Sequence, residues 1–376
     1  MAIPRIILLP GVLLLMFFAG MASNPQPFGR FSHADSRSLF YPGFQPSFRP
    51  GPGHRRPHPP IKVLIVDGFS NHNWQRTTRM IREILERSGL FRVDVSTAPP
   101  TPAGIGDRRA DSAWAAWRPR FSDYDVVIQN TNNIQDTLLR WPRPVEAALE
   151  KYVRGGGGLY ILHSANNAFP HWKEYDRMIG LGWRSRETGY ALEIDDGTAE
   201  DGTAKDGTVK NGIDSGEGSV ATGNGRRARP GILRIPPGKG EGTNHGDRTD
   251  ATIRILHRHP LNQGFPDEWK TANMEIYRYA RGPAKRLEVL SYAYDSASRI
   301  NWPVEWIVKY GRGHVYNSSM GHLWKDQTFP ISYKSVDFQT IVVRVTEWLG
   351  KGKVTAPVPV DFPTRASIST REWESK

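Results

Sequence analysis

Residues 155–167 read Gly-Gly-Gly-Gly-Leu-Tyr-Ile-Leu-His-Ser-Ala-Asn-Asn. This is a glycine turn, a short buried strand, and then a release of polar groups at the strand's carboxyl end. Open α/β sheets bind ligands at that edge, so the segment predicts a crevice with His163 at its base. The flanking sequence supplies the rest of such a sheet. Ile61 to Val66 is apolar except for Lys62, as expected of a parallel strand covered on both faces. Trp74, Thr77, Ile81, Ile84 and Leu85 then recur near helical spacing, with Asn73 placed to cap the helix. Strands follow at Phe91–Val95, Tyr124–Ile128 and Leu159–Leu162, and a helix at Pro144–Tyr152 tolerates proline in its first turn. That cadence predicts a doubly wound α/β fold.

The rhythm fails around residues 196–240. Asp196-Gly-Thr-Ala-Glu, Asp201-Gly-Thr-Ala-Lys and Asp206-Gly-Thr-Val-Lys are successive pentapeptides, read as a polar surface insert. They lack the glycine density of a calcium repeat and the closing glutamate of a helix-loop-helix site. Order resumes at Thr252–Leu256, Leu287–Leu290, Val304–Val308 and His314–Asn317. Asp337 begins a last helix with a Phe338, Ile341, Val342, Val345, Trp348 and Leu349 stripe, which Gly350 is expected to stop. The folded domain is thus expected over 61–350, with a polar tail over 351–376.

Residues 1–22 carry the pattern of an export signal: Arg5, an apolar run from Ile6 to Ala19, then Gly20-Met21-Ala22. Its cleavage would leave no stable membrane span and a secreted or periplasmic protein. Residues 23–60, rich in proline and glycine, read as a linker. The net charge of +12 raises the question of nucleic acid. Much of the excess sits at Arg49, Arg55, Arg56, Arg226, Arg227 and Arg229, outside the expected elements, and no base-reading motif accompanies it. No specific nucleic-acid partner is expected.

Several polar clusters fall where strands or turns end. Asp67-Gly-Phe-Ser-Asn-His-Asn places Asn71 and His72 over the crevice, without the glycine spacing of a nucleotide loop. Asn130-Thr-Asn-Asn brings Asn132, whose amide suits either a neutral polyol or an Asx turn. After His163 come Ser164, which lacks the flanking glycines of a hydrolase elbow, and Asn166. His245 stands where the insert rejoins the core, and His322 in Ser319-Met-Gly-His. An imidazole with an ordinary pKa exchanges protons near neutrality, so His163 is the candidate acid or base. His72, His245 and His322 are a sufficient donor set for a divalent metal: zinc, manganese or calcium. Glu275, with Glu305 as the lesser choice, is the candidate carboxylate. Asn71, Asn132 and Asn166 are the candidate substrate contacts. The chain has no cysteine, which excludes a thiol nucleophile and a disulfide framework.

These stretches, in order, are similar to the ThuA-like (trehalose-utilisation) family, whose fold resembles class I glutamine amidotransferases. The resemblance is carried by Lys62–Asp67, Gly155–Ala165, Gly242–Gly246, His259–Pro266, Met274–Tyr277, Pro303–Trp306, Tyr310–Val315 and Gly321-His322, spanning residues 61–350. It implies a flavodoxin-like, mostly parallel sheet with helices on both faces. The amidotransferase nucleophile would fall near His163, so cysteine-dependent glutaminase activity is not implied. What the resemblance does imply is sugar breakdown, including keto-bearing disaccharides, and a divalent metal in some members. It matches His163, His245, Glu275 and His322 to family positions. Asn273, where an acidic residue often stands, and the long insert depart from the pattern. The expected function is an exported carbohydrate-processing enzyme that hydrolyses or eliminates a glycoside or keto-sugar. The alternative is a noncatalytic sugar-binding protein on the same scaffold.

Overall fold

The computed structural model describes residues 59–100, 112–197, 230–327 and 330–372. The export signal, nearly all of the linker, the aspartate-glycine repeats from residue 198 and Trp373 fall outside the described residues. No helix among the described residues is long and apolar enough to cross a membrane.

The first half alternates strands and helices. Only Lys62 is exposed in Ile61–Asp67 (β1). Asn73 caps Trp74–Arg87 (α1), its side chain accepting from the Arg76 N–H at 3.2 Å. Phe91–Thr97 (β2), Ser112–Ala116 (α2), Val126–Gln129 (β3), Arg143–Arg154 (α3), Gly158–Leu162 (β4) and Lys173–Ile179 (α4) follow. The second half is mostly strand: Tyr190–Asp195 (β5), Gly231–Ile235 (β6), Asn244–His245 (β7), Thr249–Ile255 (β8), Glu268–Met274 (β9), Tyr277–Arg278 (β10), Arg281–Gly282 (β11), Leu287–Asp295 (β12), Ile300–Tyr310 (β13) and Gly313–Ser318 (β14). Ile331–Lys334 (α5) and Val336–Lys351 (α6) close the chain's regular structure.

The sheet runs β2-β1-β3-β4-β14-β13-β12-β8-β9. Its first five strands are parallel neighbours, the doubly wound core expected from the sequence. Beyond β14 the sheet continues by antiparallel pairing, and β5, β6 and β11 branch from β13. Each face of the parallel part carries its own core. Met80, Ile81 and Ile84 of α1 and Ile341, Val342 and Val345 of α6 cover Val63, Ile65 and Ile128. On the other face, Val145 and Leu149 of α3 and Tyr175, Met178 and Ile179 of α4 cover Leu64, Val66 and Ile161.

Two expectations for the chain's end are corrected. Helix α6 runs through Gly350 to Lys351 and stops at Gly352, which takes a left-handed φ of 67°. Gly350 serves packing: a Cβ there would lie 2.8 Å from Ile61 Cγ2. The segment after it is laid against the body. Phe362 packs 4.4 Å from the Phe265 ring, Ser369 O accepts from Val336 N–H, and Thr364 O accepts from Lys270 N–H. Glu305 is spent inside the sheet, accepting from the Ser291 hydroxyl at 2.5 Å and from Tyr316.

Candidate functional site

Three loops leave the carboxyl ends of parallel strands and deliver three imidazoles to one place. His72 follows β1, His163 follows β4 directly, and His322 follows β14. Gly68 makes the first loop possible: its φ is 128°, and a Cβ there would lie 2.7 Å from Ala98 backbone atoms. His163 sits at φ 40°, a left-handed conformation uncommon outside glycine and often found at functional turns. The loops of His72 and His322 are tied together by an antiparallel bridge from His72 to Trp324 and by Asn73 N–H donating to Leu323 O at 3.0 Å.

The three rings stand edge to face, their centroids 5.0–5.2 Å apart, with one ligating atom of each within 4.8 Å of the others. All three are buried. His163 Nδ1 lies 2.8 Å from the Ser319 carbonyl, which can only accept, so Nδ1 carries the hydrogen and Nε2 keeps its lone pair. His72 repeats the arrangement with Asn71 Oδ1 at 2.8 Å. His322 Nδ1 is buried with no hydrogen-bond partner. Burial, reinforced by the neighbouring imidazoles, holds His163 well below the ordinary histidine range. Burial, with Arg248 nearby, pushes His72 down to about 4, and burial, with His72 beside it, pushes His322 down to about 3. Imidazole binds a metal ion in its neutral form, and three that converge this closely fit one.

Glu275 lies at the edge of this trio. Its Oε1 is 3.7 Å from His163 Nε2, and its Oε2 is 3.3 Å from His322 Nε2 and 3.9 Å from His245 Nε2. Arg248 Nη1 donates to Oε2 at 3.2 Å. Burial raises the carboxyl's pKa, while His245 and Arg248 oppose that rise. The Tyr277 hydroxyl is 3.4 Å from His163 Nε2. Trp324, 40% exposed, stacks parallel to His322 and meets His72 edge-on at 5.0 Å. Trp183 packs 5.7 Å from His245 and 5.4 Å from Tyr277.

His163, His245, Glu275 and His322 therefore converge at the sheet's carboxyl edge, as the sequence led us to expect, with His72 beside them. The grouping among them differs. His163 completes the imidazole trio, whereas His245 stands at the more exposed rim, outside the trio and 3.9 Å from Glu275 Oε2. The three asparagines are also reassigned as supports. Asn71 Oδ1 accepts from both His72 and Asn132, the latter at 2.6 Å, and Asn132 Oδ1 closes an Asx turn on Ile134 N–H. Asn166 is fully buried within the turn that begins at His163, and its amide donates to Leu181 O at 2.8 Å. Trp302 and Trp306, unlike Trp324, are fully buried in the core. Arg248 and Trp183 were missed: neither belongs to a motif, and only the return of β7 and β10 brings them here.

A doubly wound α/β sheet with a histidine cluster at the carboxyl ends of its parallel strands is the class this geometry defines. The family described as ThuA, trehalose utilisation, matches residues 62–349, and the chain belongs to it. A ThuA-like protein from Parabacteroides merdae is 27% identical, with a TM-score of 0.68 over 83% of this chain and 98% of its own. Another from Bacteroides uniformis is 13% identical, with a TM-score of 0.46 over 81% and 98%. A β-galactosidase from Bacillus circulans sp. alkalophilus is 12% identical and matches 79% of this chain with 32% of its own, at a TM-score of 0.39. No protein of curated function matches. The family points to a carbohydrate-related role.

Proposed function

We propose that this protein is a carbohydrate-processing enzyme that hydrolyses or eliminates a glycoside or keto-sugar, with a divalent metal held by His72, His163 and His322. The observation that carries the reading is the convergence of three buried, neutral imidazoles within 4.8 Å, beside a buried carboxylate. Imidazole donors suit zinc, whereas calcium takes six to eight oxygens, so the calcium option is dropped. When bound, the ion would supply Lewis acidity to a carbonyl or hydroxyl oxygen of the sugar.

The proton work falls to Glu275. His163, held far below neutrality, stays unprotonated at working pH and serves better as a ligand than as an acid. Glu275, a buried carboxylate 3.7 Å from His163 Nε2 and 3.3 Å from His322 Nε2, serves as the base for a proton on a sugar carbon or on water. Burial raises its carboxyl above the ordinary range. Arg248 and His245 hold the carboxylate's Oε2 side. Trp324 offers an exposed ring face on which a sugar can stack. The N-terminal pattern supports an exported location as part of this reading.

The test is incubation of the zinc-loaded and manganese-loaded protein with paired glycosides and 3-keto-glycosides, followed by chromatography of released sugar. Release should depend on metal and disappear in Glu275→Gln at unchanged metal content. Sugar binding with no release under any metal would contradict the enzymatic reading and leave a binding protein.

A further inference from the structure

Arg248 comes from the exposed stretch between β7 and β8, and its side chain, 32% exposed, reaches Glu275 beside the imidazole trio. Its Nη1 lies 3.2 Å from Glu275 Oε2 and also 3.2 Å from His322 Nε2. A guanidinium only donates, so the contact with Nε2 uses that nitrogen's lone pair. The hydrogen of His322 must then sit on Nδ1, which is buried without an acceptor. An ion at Nε2 needs the same lone pair that Arg248 occupies. An ion at Nδ1 needs the hydrogen moved to Nε2, where it would face a donor 3.2 Å away. On either nitrogen the guanidinium opposes the ion, and its positive charge adds repulsion in a poorly solvated site.

We propose that Arg248 is a built-in competitor for the metal: a cation of the chain's own that occupies the acceptors of His322 and Glu275 when the ion is away. The proposal rests on the metal reading above. It makes Arg248 a positioning residue that holds the site in register and sets a threshold for loading. Ions with a strong preference for nitrogen displace it, and weak binders do not. The planar fork matters as well as the charge, because a lysine's single ammonium is a point donor without that fixed geometry.

Zinc affinity is measured by competition with a chromophoric chelator, at one pH and ionic strength. The proteins are the wild type, Arg248→Met, Arg248→Lys and His322→Ala, each checked for folding by thermal melting. Arg248→Met should bind zinc about tenfold more tightly or better, equivalent to about 1.4 kcal/mol. Arg248→Lys should fall between it and the wild type, and His322→Ala should lose tight binding. Equal or weaker affinity in a folded Arg248→Met protein overturns the proposal and leaves the metal site standing. Should that variant not fold, Arg248→Lys carries the test, and affinity no tighter than wild type overturns the proposal. Unchanged tight binding in His322→Ala overturns the metal reading, and this proposal with it.

Discussion

Asn71→Ala should weaken metal binding although Asn71 is not one of the three proposed ligands. Its Oδ1 accepts from His72 Nδ1 at 2.8 Å and from Asn132 Nδ2 at 2.6 Å. Alanine removes both bonds, leaving the His72 hydrogen and a buried Asn132 amide without an acceptor. Stranding a buried donor costs about 1–3 kcal/mol of stability. The larger effect is on the ring, since His72 would no longer be fixed with Nε2 as its lone pair. Losing a partner that orients a ligating histidine typically costs about 10–100-fold in metal affinity, or about 1.4–2.7 kcal/mol. Chelator competition reads the affinity, and denaturation of the metal-free protein reads the stability. Asn71→Asp keeps an acceptor at the same reach and should retain affinity. Wild-type zinc affinity in a folded Asn71→Ala protein would refute the reasoning, because His72 would then need no orientation to bind or would not bind at all.

Three further outcomes follow from the same structure. His72 and His322 are neutral in the fold, with pKa values pushed to about 4 and about 3, whereas in the unfolded chain they titrate near 6.5. Unfolding therefore takes up protons below pH 6.5, so this stability is complete above that pH and is lost as pH falls towards 4 and then 3. Denaturant midpoints of metal-free protein should drop over that window, less steeply in His322→Asn; parallel profiles would contradict the assignment. Phe362→Ala should cost about 3 kcal/mol, because the ring packs 4.4 Å from Phe265 and 5.6 Å from Trp269; an unchanged midpoint would return the segment to the status of a solvated tail. Trp324→Ala should raise KM about 3–10-fold with kcat nearly kept, as expected for loss of a stacking surface worth about 0.5–1.5 kcal/mol; unchanged steady-state kinetics would remove Trp324 from the sugar site.

What the sequence made legible is what local pattern encodes. The parallel strands, α1, α3 and α6 announce themselves through apolar periodicity and caps. Because ligand crevices form at strand exits, the same reading located His72, His163 and His322. Their division of labour was not legible, because it depends on which ring nitrogen meets Ser319 or Asn71 and on burial that lowers all three pKa values. His245 looked equivalent to the others until β7 paired with β10 and left it at the rim. The asparagines are chemically able to bind a polyol, yet the fold spends their amides on His72, Ile134 and Leu181. Arg248 sits in no motif, and only a long side chain reaching in from the stretch between β7 and β8 brings its charge to Glu275. Antiparallel strands such as β5, β6 and β9 lack a continuous apolar run, since one face of each is partly solvated.

The most direct test of the proposed metal site is elemental analysis of the full chain after zinc loading and exhaustive dialysis. The proposal predicts about one equivalent per chain, as for a catalytic site with three protein ligands. That ion should be lost in His72→Ala, His163→Ala and His322→Ala taken singly, and retained in His245→Ala. Zinc retained in all three ligand variants, or absent from the folded wild type under the same conditions, would contradict the account.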